Sequence, residues 1–289
     1  MLSLHTNNAA LAAQSALSST QNKLSTSMTR LSTGYRINSA MDDAAGLQIA
    51  TRLKAQTSGM SVAMRNTQNS TSMLQTAEGA LNEVNNMLVR MKDLATQAFD
   101  ASSTDDDKTA MQAEYDNLGK EINNILTNTK FGGSELLKSG TISKEMTFQI
   151  GAAAGETMSL DLSDKMDSTT GAAMTQLASV STMLAATAGT VGTELTNGAN
   201  SVIDDISTAI DEISSVRSSL GAAANRLDHV YNNLANISSN TEAATGRIMD
   251  VDFATESANM TSNQMLLQAG TAMLKQTNSM SSMVMSLLQ

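Results

Sequence analysis

The chain has 289 residues, a net charge of −10 and no Pro, Cys or Trp. The lack of Cys excludes disulfides and thiolate metal sites, and the absence of a Lys/Arg run gives nucleic-acid binding no electrostatic support. With four Phe and three Tyr, the core must be filled by Ala, Leu, Met and Ile, which favour helices when no Pro interrupts them. We therefore predict a mainly α fold of long helices. No membrane insertion is expected, because no apolar run approaches the roughly 20 residues of a membrane span.

The first predicted helix carries Leu residues at intervals of seven and ends at Gly34, since Gly commonly terminates helices. The apolar positions are Leu4 and Leu11, followed by Leu17, Leu24 and Leu31. The N-terminus has no basic segment followed by an unbroken apolar core, so we do not expect a secretory signal peptide. A less regular stretch, 32–38, comes next.

Two further helices are predicted from coiled-coil spacing, in which apolar residues alternate at steps of three and four. The first seam is Leu74, Ala77, Leu81, Val84, Leu88, Met91, Ala95 and Ala98, and the second is Met111, Tyr115, Leu118, Ile122 and Ile125. Capping-box spacing at Ser39–Asp42 and at Thr104–Asp107 predicts where the two helices begin. Asp42 and Asp43 are a second candidate for the start of the first of them. The short gap at 100–103 predicts that they form an antiparallel pair.

The middle of the chain differs from both ends. Phe131 and the two Gly residues after it indicate the end of the preceding helix. Alternating apolar and polar residues at 142–150 and 158–162 predict a β-hairpin within about 141–163. Residues 168–199 are rich in Thr, Ala, Met and Gly and too few for a separate domain.

The C-terminal part repeats the helical pattern. Its seam is Val202, Ile206, Ala209, Ile213, Val216, Leu220, Ala223, Leu227, Val230, Leu234 and Ile237. An irregular stretch at 246–252 follows, with Asp252 as the predicted N-cap of a last helix. That helix carries the stripe Leu266, Met273, Met280 and Leu287, flanked by Leu267 and Leu274.

Catalytic signals are weak, so we predict no enzyme, no cofactor and no metal. The only His residues are His5 and His229, and neither an HExxH motif nor a phosphate-binding loop is present. Asp250 and Asp252 have the spacing of a metal-binding pair, but a helix cap explains them better.

The terminal stripes pose a physical problem, because a lone helix of about 30 residues is only marginally stable in water. The two end helices can pair with each other, but a pair leaves much of both apolar stripes exposed to water. Further copies of the chain are the obvious cover, and a repeated interface between different patches produces a helical filament. This hypothesis predicts a homopolymer held by the terminal leucines and methionines named above.

Four segments of the sequence carry a further signal: LSTGYRINSAMDDAAGLQIATRL from Leu31, AEGALNEVNNMLVRMKDLATQA from Ala77, LGAAANRL from Leu220 and DFATESANMTSNQMLLQAGTAMLKQ from Asp252. Through these segments the sequence resembles bacterial flagellins over roughly 1–165 and 200–289. The resemblance implies a structural subunit of the extracellular flagellar filament, used for swimming or swarming. The short middle segment suggests a flagellin without large outer domains, as in lateral flagella.

The family implies a layered organisation. Residues 1–40 and 247–289 would form the inner filament core. Residues 41–167 and 200–246 would form a helical bundle with the β-hairpin, and 168–199 would replace the outer domains. The resemblance implies type III export. It also implies three kinds of partner: an export chaperone, a filament cap and hook-junction proteins.

The resemblance also implies a second role as a ligand of Toll-like receptor 5. The family's receptor contact is matched by Arg90, Leu94 and Glu114. A solvated helix face explains Arg90 equally well, and interior packing explains Leu94.

Two alternative functions stay open at this point. A hook–filament junction protein shares the terminal helices of flagellin, although the sequence segments above favour flagellin. An enzyme, such as a flagellin with an inserted metalloprotease domain, is disfavoured by the missing HExxH motif.

Overall fold

A computed structural model of the chain describes residues 7–138, 140–166, 172–173, 195 and 201–287. The fold is mainly α, as predicted. In chain order the elements are α1 (Asn8–Thr33), α2 (Ala44–Ala98), α3 (Asp105–Asn128), β1 (Lys130–Phe131), β2 (Ser134–Glu135), β3 (Met146–Gln149), β4 (Thr157–Leu160), α4 (Ser163–Met166), α5 (Ser201–Met249) and α6 (Phe253–Leu287).

The residues group into two compact units. The terminal unit comprises Met1–Thr57 and Ser239–Gln289, and the central unit comprises Ser58–Ser238. Both α2 and α5 contribute residues to each unit. The boundaries predicted after residues 40 and 246 separate layers of an assembled filament. The structure of a single chain does not test them, so they stay a prediction.

The core of the central unit is built by the three predicted seams. All eight seam residues of α2 are buried, and so are the seam residues of α5 from Val202 to Leu227. The seam of α5 weakens towards its end, where Val230 is half-buried and Ile237 is 38% exposed. Heptad spacing therefore predicted this core, because it places one continuous apolar face on each helix.

The inner row of α3 differs slightly from the prediction. Met111, Tyr115 and Ile122 are buried, but Leu126 takes the place predicted for Ile125, which is half-buried together with Leu118. The predicted capping box at the start of α3 is confirmed, with Thr104 and Asp107 bonded reciprocally.

The predicted β-hairpin is confirmed in shortened form. Strands β3 and β4 pair antiparallel, with Met146 opposite Leu160 and Phe148 opposite Met158. Met146, Phe148 and Met158 are buried and join the helical core, so the alternation of apolar residues places one face of the hairpin inwards.

The Gly pair after Phe131 forms a hairpin turn and does not itself end α3. α3 ends at Asn128, and Gly132 and Gly133 then form the turn between β1 and β2, with φ of +59° and +88°. A two-residue hairpin turn with positive φ at both positions favours Gly, because a side chain would be strained there.

Most of the predicted variable segment, 168–199, lies outside the described residues. Of its described residues, Ala173 and Leu195 are buried in the central core. The Leu195 N–H donates to Oε1 of the buried Gln112 at 2.8 Å, and Gln112 donates in turn to Asp116.

In the terminal unit, α1 and α6 lie antiparallel. The Asn7 side chain near the start of α1 reaches the Thr277 carbonyl, whereas Arg30 near its end lies 3.8 Å from the Glu256 carboxylate. Between them, Leu17 packs against Gly270, where an added Cβ would lie 3.1 Å from the leucine Cδ1.

The segments that leave these two helices are held to each other by backbone hydrogen bonds. Gly34 ends α1 with φ of +75°, as predicted, and its carbonyl accepts from the Val251 N–H at 3.0 Å. The Arg36 N–H donates to the Met249 carbonyl at 2.6 Å. The stretches predicted to be irregular therefore satisfy part of their backbone by pairing.

Of the two starts predicted for α2, the Ser39–Asp42 box and Asp42–Asp43, the structure has the second. Asp42 accepts from the N–H groups of Asn38 and Ser39 and closes a turn that precedes the helix. Asp43 then caps α2, with its carboxylate accepting from the Gly46 N–H at 2.9 Å. The cap of α6 is as predicted, because Asp252 accepts from the Ala254 N–H at 3.0 Å.

Candidate polymerisation surface

The terminal pair has an inner seam in which α1 and α6 cover each other. Its residues recur at steps of three and four and are buried or half-buried: Ala10, Ala13, Leu17, Thr20, Leu24, Ser27 and Leu31 on α1, and Glu256, Met260, Asn263, Leu267, Gly270, Leu274 and Thr277 on α6. Of the residues predicted to hold the filament together, Leu17, Leu24, Leu31, Leu267 and Leu274 lie in this seam.

The seam is a weak one by composition. It mixes large apolar residues with Ala, Gly, Ser, Thr, Asn and one Glu, and only Leu24, Ser27 and Glu256 are buried rather than half-buried. Small and polar seam residues bury less apolar area than Leu or Ile, and burial stabilises by about 25 cal/mol per Å². The pair alone therefore gains little free energy from packing.

The remaining described residues of the predicted set point away from the seam. Leu11 is 54% exposed, Leu266 57%, Met273 63% and Met280 57%. Leu266, Met273 and Met280 recur at intervals of seven and so lie on one side of α6. We call these three residues the α6 outer stripe. Leu4 lies outside the described residues, and Leu287 belongs to α6 without a described side chain.

Further apolar residues of the terminal helices share this exposure, and sequence reasoning missed them. They are Met28 at 54%, Phe253 at 57% and Met265 at 59%. Large apolar side chains exposed at several points of one helix pair indicate a binding surface, because full burial of each such side chain stabilises by about 1.5–3 kcal/mol.

An ionic cluster at the end of the seam was also missed. Arg30 lies 3.8 Å from both Asp42 and Glu256, and Glu256 is 8% exposed. These residues come from α1, from the turn before α2 and from the first turn of α6. Since they are far apart in sequence and follow no shared spacing, no sequence pattern identified them.

Hydrogen bonds favour the ionised form of two carboxylates, Asp42 in this cluster and Asp252 at the start of α6. The backbone N–H groups of Ser39 and Asn38 lower the pKa of Asp42, and Arg30 adds to the effect. The Thr255 hydroxyl and N–H lower the pKa of Asp252, the cap of α6. In both cases donors stabilise the charged form.

The predicted receptor residues are placed differently from one another. Arg90 on α2 and Glu114 on α3 form an ion pair at 2.8 Å and are about half exposed, at 53% and 46% of their side chains. Leu94 is 2% exposed and belongs to the central core, so its side chain offers no surface to a partner. Receptor recognition itself stays a prediction.

Signs of catalytic or membrane function are sparse in the described part of the chain. It contains no group of three or more His, Cys, Asp or Glu that could hold a metal ion. Nor does any described helix combine the length and hydropathy of a membrane span. His229 is exposed on α5, and His5 lies outside the described residues.

A buried helical core combined with a terminal helix pair that exposes apolar residues is typical of a structural helical protein that associates with further copies. The comparisons with known proteins agree. Residues 4–141 match the bacterial flagellin N-terminal helical region, and residues 203–288 match the flagellin C-terminal helical region.

Flagellin from Halalkalibacterium halodurans is 39% identical over 258 residues, which cover 89% of each chain. Polar flagellin F from Vibrio parahaemolyticus is 47% identical over 161 residues, which are 56% of this chain and 42% of that relative. This chain therefore matches less than half the length of the Vibrio protein.

The chain belongs to the bacterial flagellin family, whose members are structural subunits of the extracellular flagellar filament. A solved structure of a protein described as a flagellar hook-associated protein from Vibrio parahaemolyticus has a TM-score of 0.55 and covers 72% of this chain and 100% of its own. At 19% identity this likeness concerns the fold alone, so it does not favour the junction-protein alternative.

Proposed function

We propose that this chain serves in the flagellar filament by polymerising through the exposed apolar residues of α1 and α6, with a structural and not a catalytic role. The observation that carries the proposal is the α6 outer stripe, whose three residues are each more than half exposed. Exposed polar side chains elsewhere on the surface gain no comparable free energy from burial against another copy.

The occupant of this surface is a second copy of the chain. The α1–α6 seam already brings two apolar helices together, so a neighbouring pair would extend the same kind of packing. In the proposed interface the stripe of one copy is covered by a different face of the next copy, so addition of each copy exposes a new stripe. Such an interface does not close and continues as a filament.

A charge placed in the stripe tests this proposal. Leu266→Glu should abolish filament growth, because burying an unpaired carboxylate in an apolar interface is prohibitive. Gln268→Glu is the matched control, since it adds the same charge to an exposed polar position of the same helix. Seeded growth of purified protein, followed by sedimentation and electron microscopy, distinguishes the two variants.

The monomers of both variants should have unchanged helical circular dichroism, because residue 266 is exposed in the single chain. Filaments of normal length from Leu266→Glu would refute the proposed surface. Assembly of the unaltered chain into short rings only would instead favour a hook–filament junction protein.

Other partners follow from membership of the family. An export chaperone would cover the C-terminal helix before assembly, and a filament cap and hook-junction proteins would contact the chain during growth. The exposed apolar residues of α6 are the surface on which a chaperone would act. Co-purification with wild type but not with Leu266→Glu would support that contact.

Recognition by Toll-like receptor 5 is a second proposal, now limited to Arg90 and Glu114. Their exposed ion pair offers a guanidinium for charge-assisted bonds, whereas Leu94 supports the helix from inside. Arg90→Ala monomer should activate receptor-bearing cells at least about tenfold less well than wild type. Equal activation by the two proteins would exclude Arg90 as a contact.

A further inference from the structure

Two sets of methionines among the described residues lie in contrasting environments. In the central unit Met60, Met91, Met111, Met146, Met158 and Met166 are all buried. On the terminal helices Met28, Met265, Met273 and Met280 are each more than half exposed. Oxidation of Met depends on access to its sulfur, so the two sets differ in reactivity towards a dissolved oxidant.

The α6 outer stripe combines this reactivity with the proposed assembly surface. Its three residues share one side of the helix, and the first of them is Leu266 rather than Met. Leucine at an equivalent position indicates that apolar packing there does not require a thioether. Met273 and Met280 therefore add an oxidisable group to a surface that an aliphatic side chain also suits.

We propose that Met273 and Met280 are oxidation sites at which a peroxide controls subunit addition, an inference that rests on the proposed function. A sulfur lone pair attacks one peroxide oxygen, the O–O bond breaks and a sulfur–oxygen bond forms. The transferred oxygen gives its proton to the departing hydroxide, which leaves as water. Sulfur loses two electrons to the peroxide, and the product is methionine sulfoxide.

The sulfoxide changes the surface from apolar to polar. A free monomer exposes both sulfur atoms, and the oxidised side chains would have to be buried without hydrogen-bond partners on assembly. In a finished filament the neighbouring copy covers the same atoms. Peroxide should therefore stop the addition of new subunits while sparing those already assembled.

The test uses the full-length monomer treated with hydrogen peroxide, followed by removal of the peroxide and mapping of sulfoxides by mass spectrometry. Met273 and Met280 should be oxidised well before the buried Met91 and Met166. The monomer concentration needed for seeded growth should then rise by about tenfold or more. Treated filaments should show slower oxidation at the same two positions than treated monomers.

The double variant Met273→Leu/Met280→Leu isolates the chemistry, because it keeps apolar side chains and removes both thioethers. It should grow after peroxide treatment nearly as well as before. Met41→Leu is the control, since Met41 is 95% exposed in the turn before α2 and lies outside the stripe. This control should stay as sensitive as wild type.

Either of two results would overturn the inference. The first is that wild type oxidised at both positions grows like untreated protein. The second is that peroxide inhibits the double variant as strongly as wild type. Neither result touches the proposed function, which fails separately if Leu266→Glu forms filaments. The growth of each protein after peroxide is compared with its own untreated growth, so the comparison holds even where the double variant assembles at a different basal rate.

Discussion

The central and terminal units use the same heptad spacing with different residues. The α2 seam of the central unit consists of Leu, Val, Met and Ala that are all buried, whereas the α1–α6 seam includes Ser27, Asn263, Gly270 and Thr277. Spacing decides that helices pair, but side-chain size and polarity decide how much free energy the pairing yields. The central unit thus gains more free energy from its internal packing than the terminal unit does.

The largest expected effect concerns the central core. Leu81→Ala should lower the free energy of unfolding of the central unit by about 2–5 kcal/mol, because Leu81 is fully buried and truncation leaves a cavity. Leu31→Ala, at a half-buried position of the terminal seam, should cost about half as much or less. Denaturant titration followed by hydrogen exchange would separate the two units. Equal losses would contradict the contrast drawn between the seams.

A smaller effect is expected at the ionic cluster of the terminal unit. Arg30→Met keeps the length of the side chain but leaves the nearly buried Glu256 without its cation. We expect a loss of about 1–3 kcal/mol, measured as faster hydrogen exchange in α1 and α6. Arg90→Met removes the exposed ion pair of the central unit and should cost less than about 1 kcal/mol.

Two Gly residues should respond in opposite directions. Gly34→Ala strains the left-handed end of α1 and should destabilise the terminal unit by about 1 kcal/mol. Gly79→Ala lies inside α2 with no atom near the new methyl group, so it should stabilise the central unit by about 0.5–1 kcal/mol. Thermal unfolding of both variants measures the difference. A stabilising Gly34→Ala would contradict the role of the positive φ.

The smallest effect is a dependence on acid. The pKa values of Asp42 and Asp252 are lowered in the fold, so each contributes stability that is present above the ordinary Asp value of about 4. That stability is lost as the pH falls through the lowered folded-state pKa. Asp107 in the central unit behaves alike, since the Thr104 hydroxyl and N–H lower its pKa.

Acid therefore weakens the hydrogen bonds that these carboxylates accept in both units, but the terminal unit has the weaker packing. Limited proteolysis at decreasing pH should cut the terminal helices first. Asp252→Asn should make this cleavage less dependent on pH, because Asn accepts the same capping bonds without a charge to lose. Earlier cleavage in the central unit would contradict the ranking of the two units.

Much of the fold was predictable because it depends on local rules. The seams of α2 and α5, the box at Thr104, the stop at Gly34 and the cap at Asp252 each depend on residues within one helix or one turn. The start of α2 had two candidates because Ser39–Asp42 and Asp42–Asp43 both have capping chemistry, and only the backbone path decides which one precedes the helix. The Arg30 cluster was missed because its members are distant in sequence.

The sequence by itself determined which segments are helical, that three seams share one core, and that the terminal helices carry apolar stripes. Only the tertiary structure decided which residues of a stripe face the partner helix. Leu266 and Leu267 are neighbours of equal hydrophobicity, yet Leu266 is 57% exposed and Leu267 is half-buried. Adjacent helical residues point about 100° apart, so a broad apolar stripe fits either orientation until the partner helix selects one.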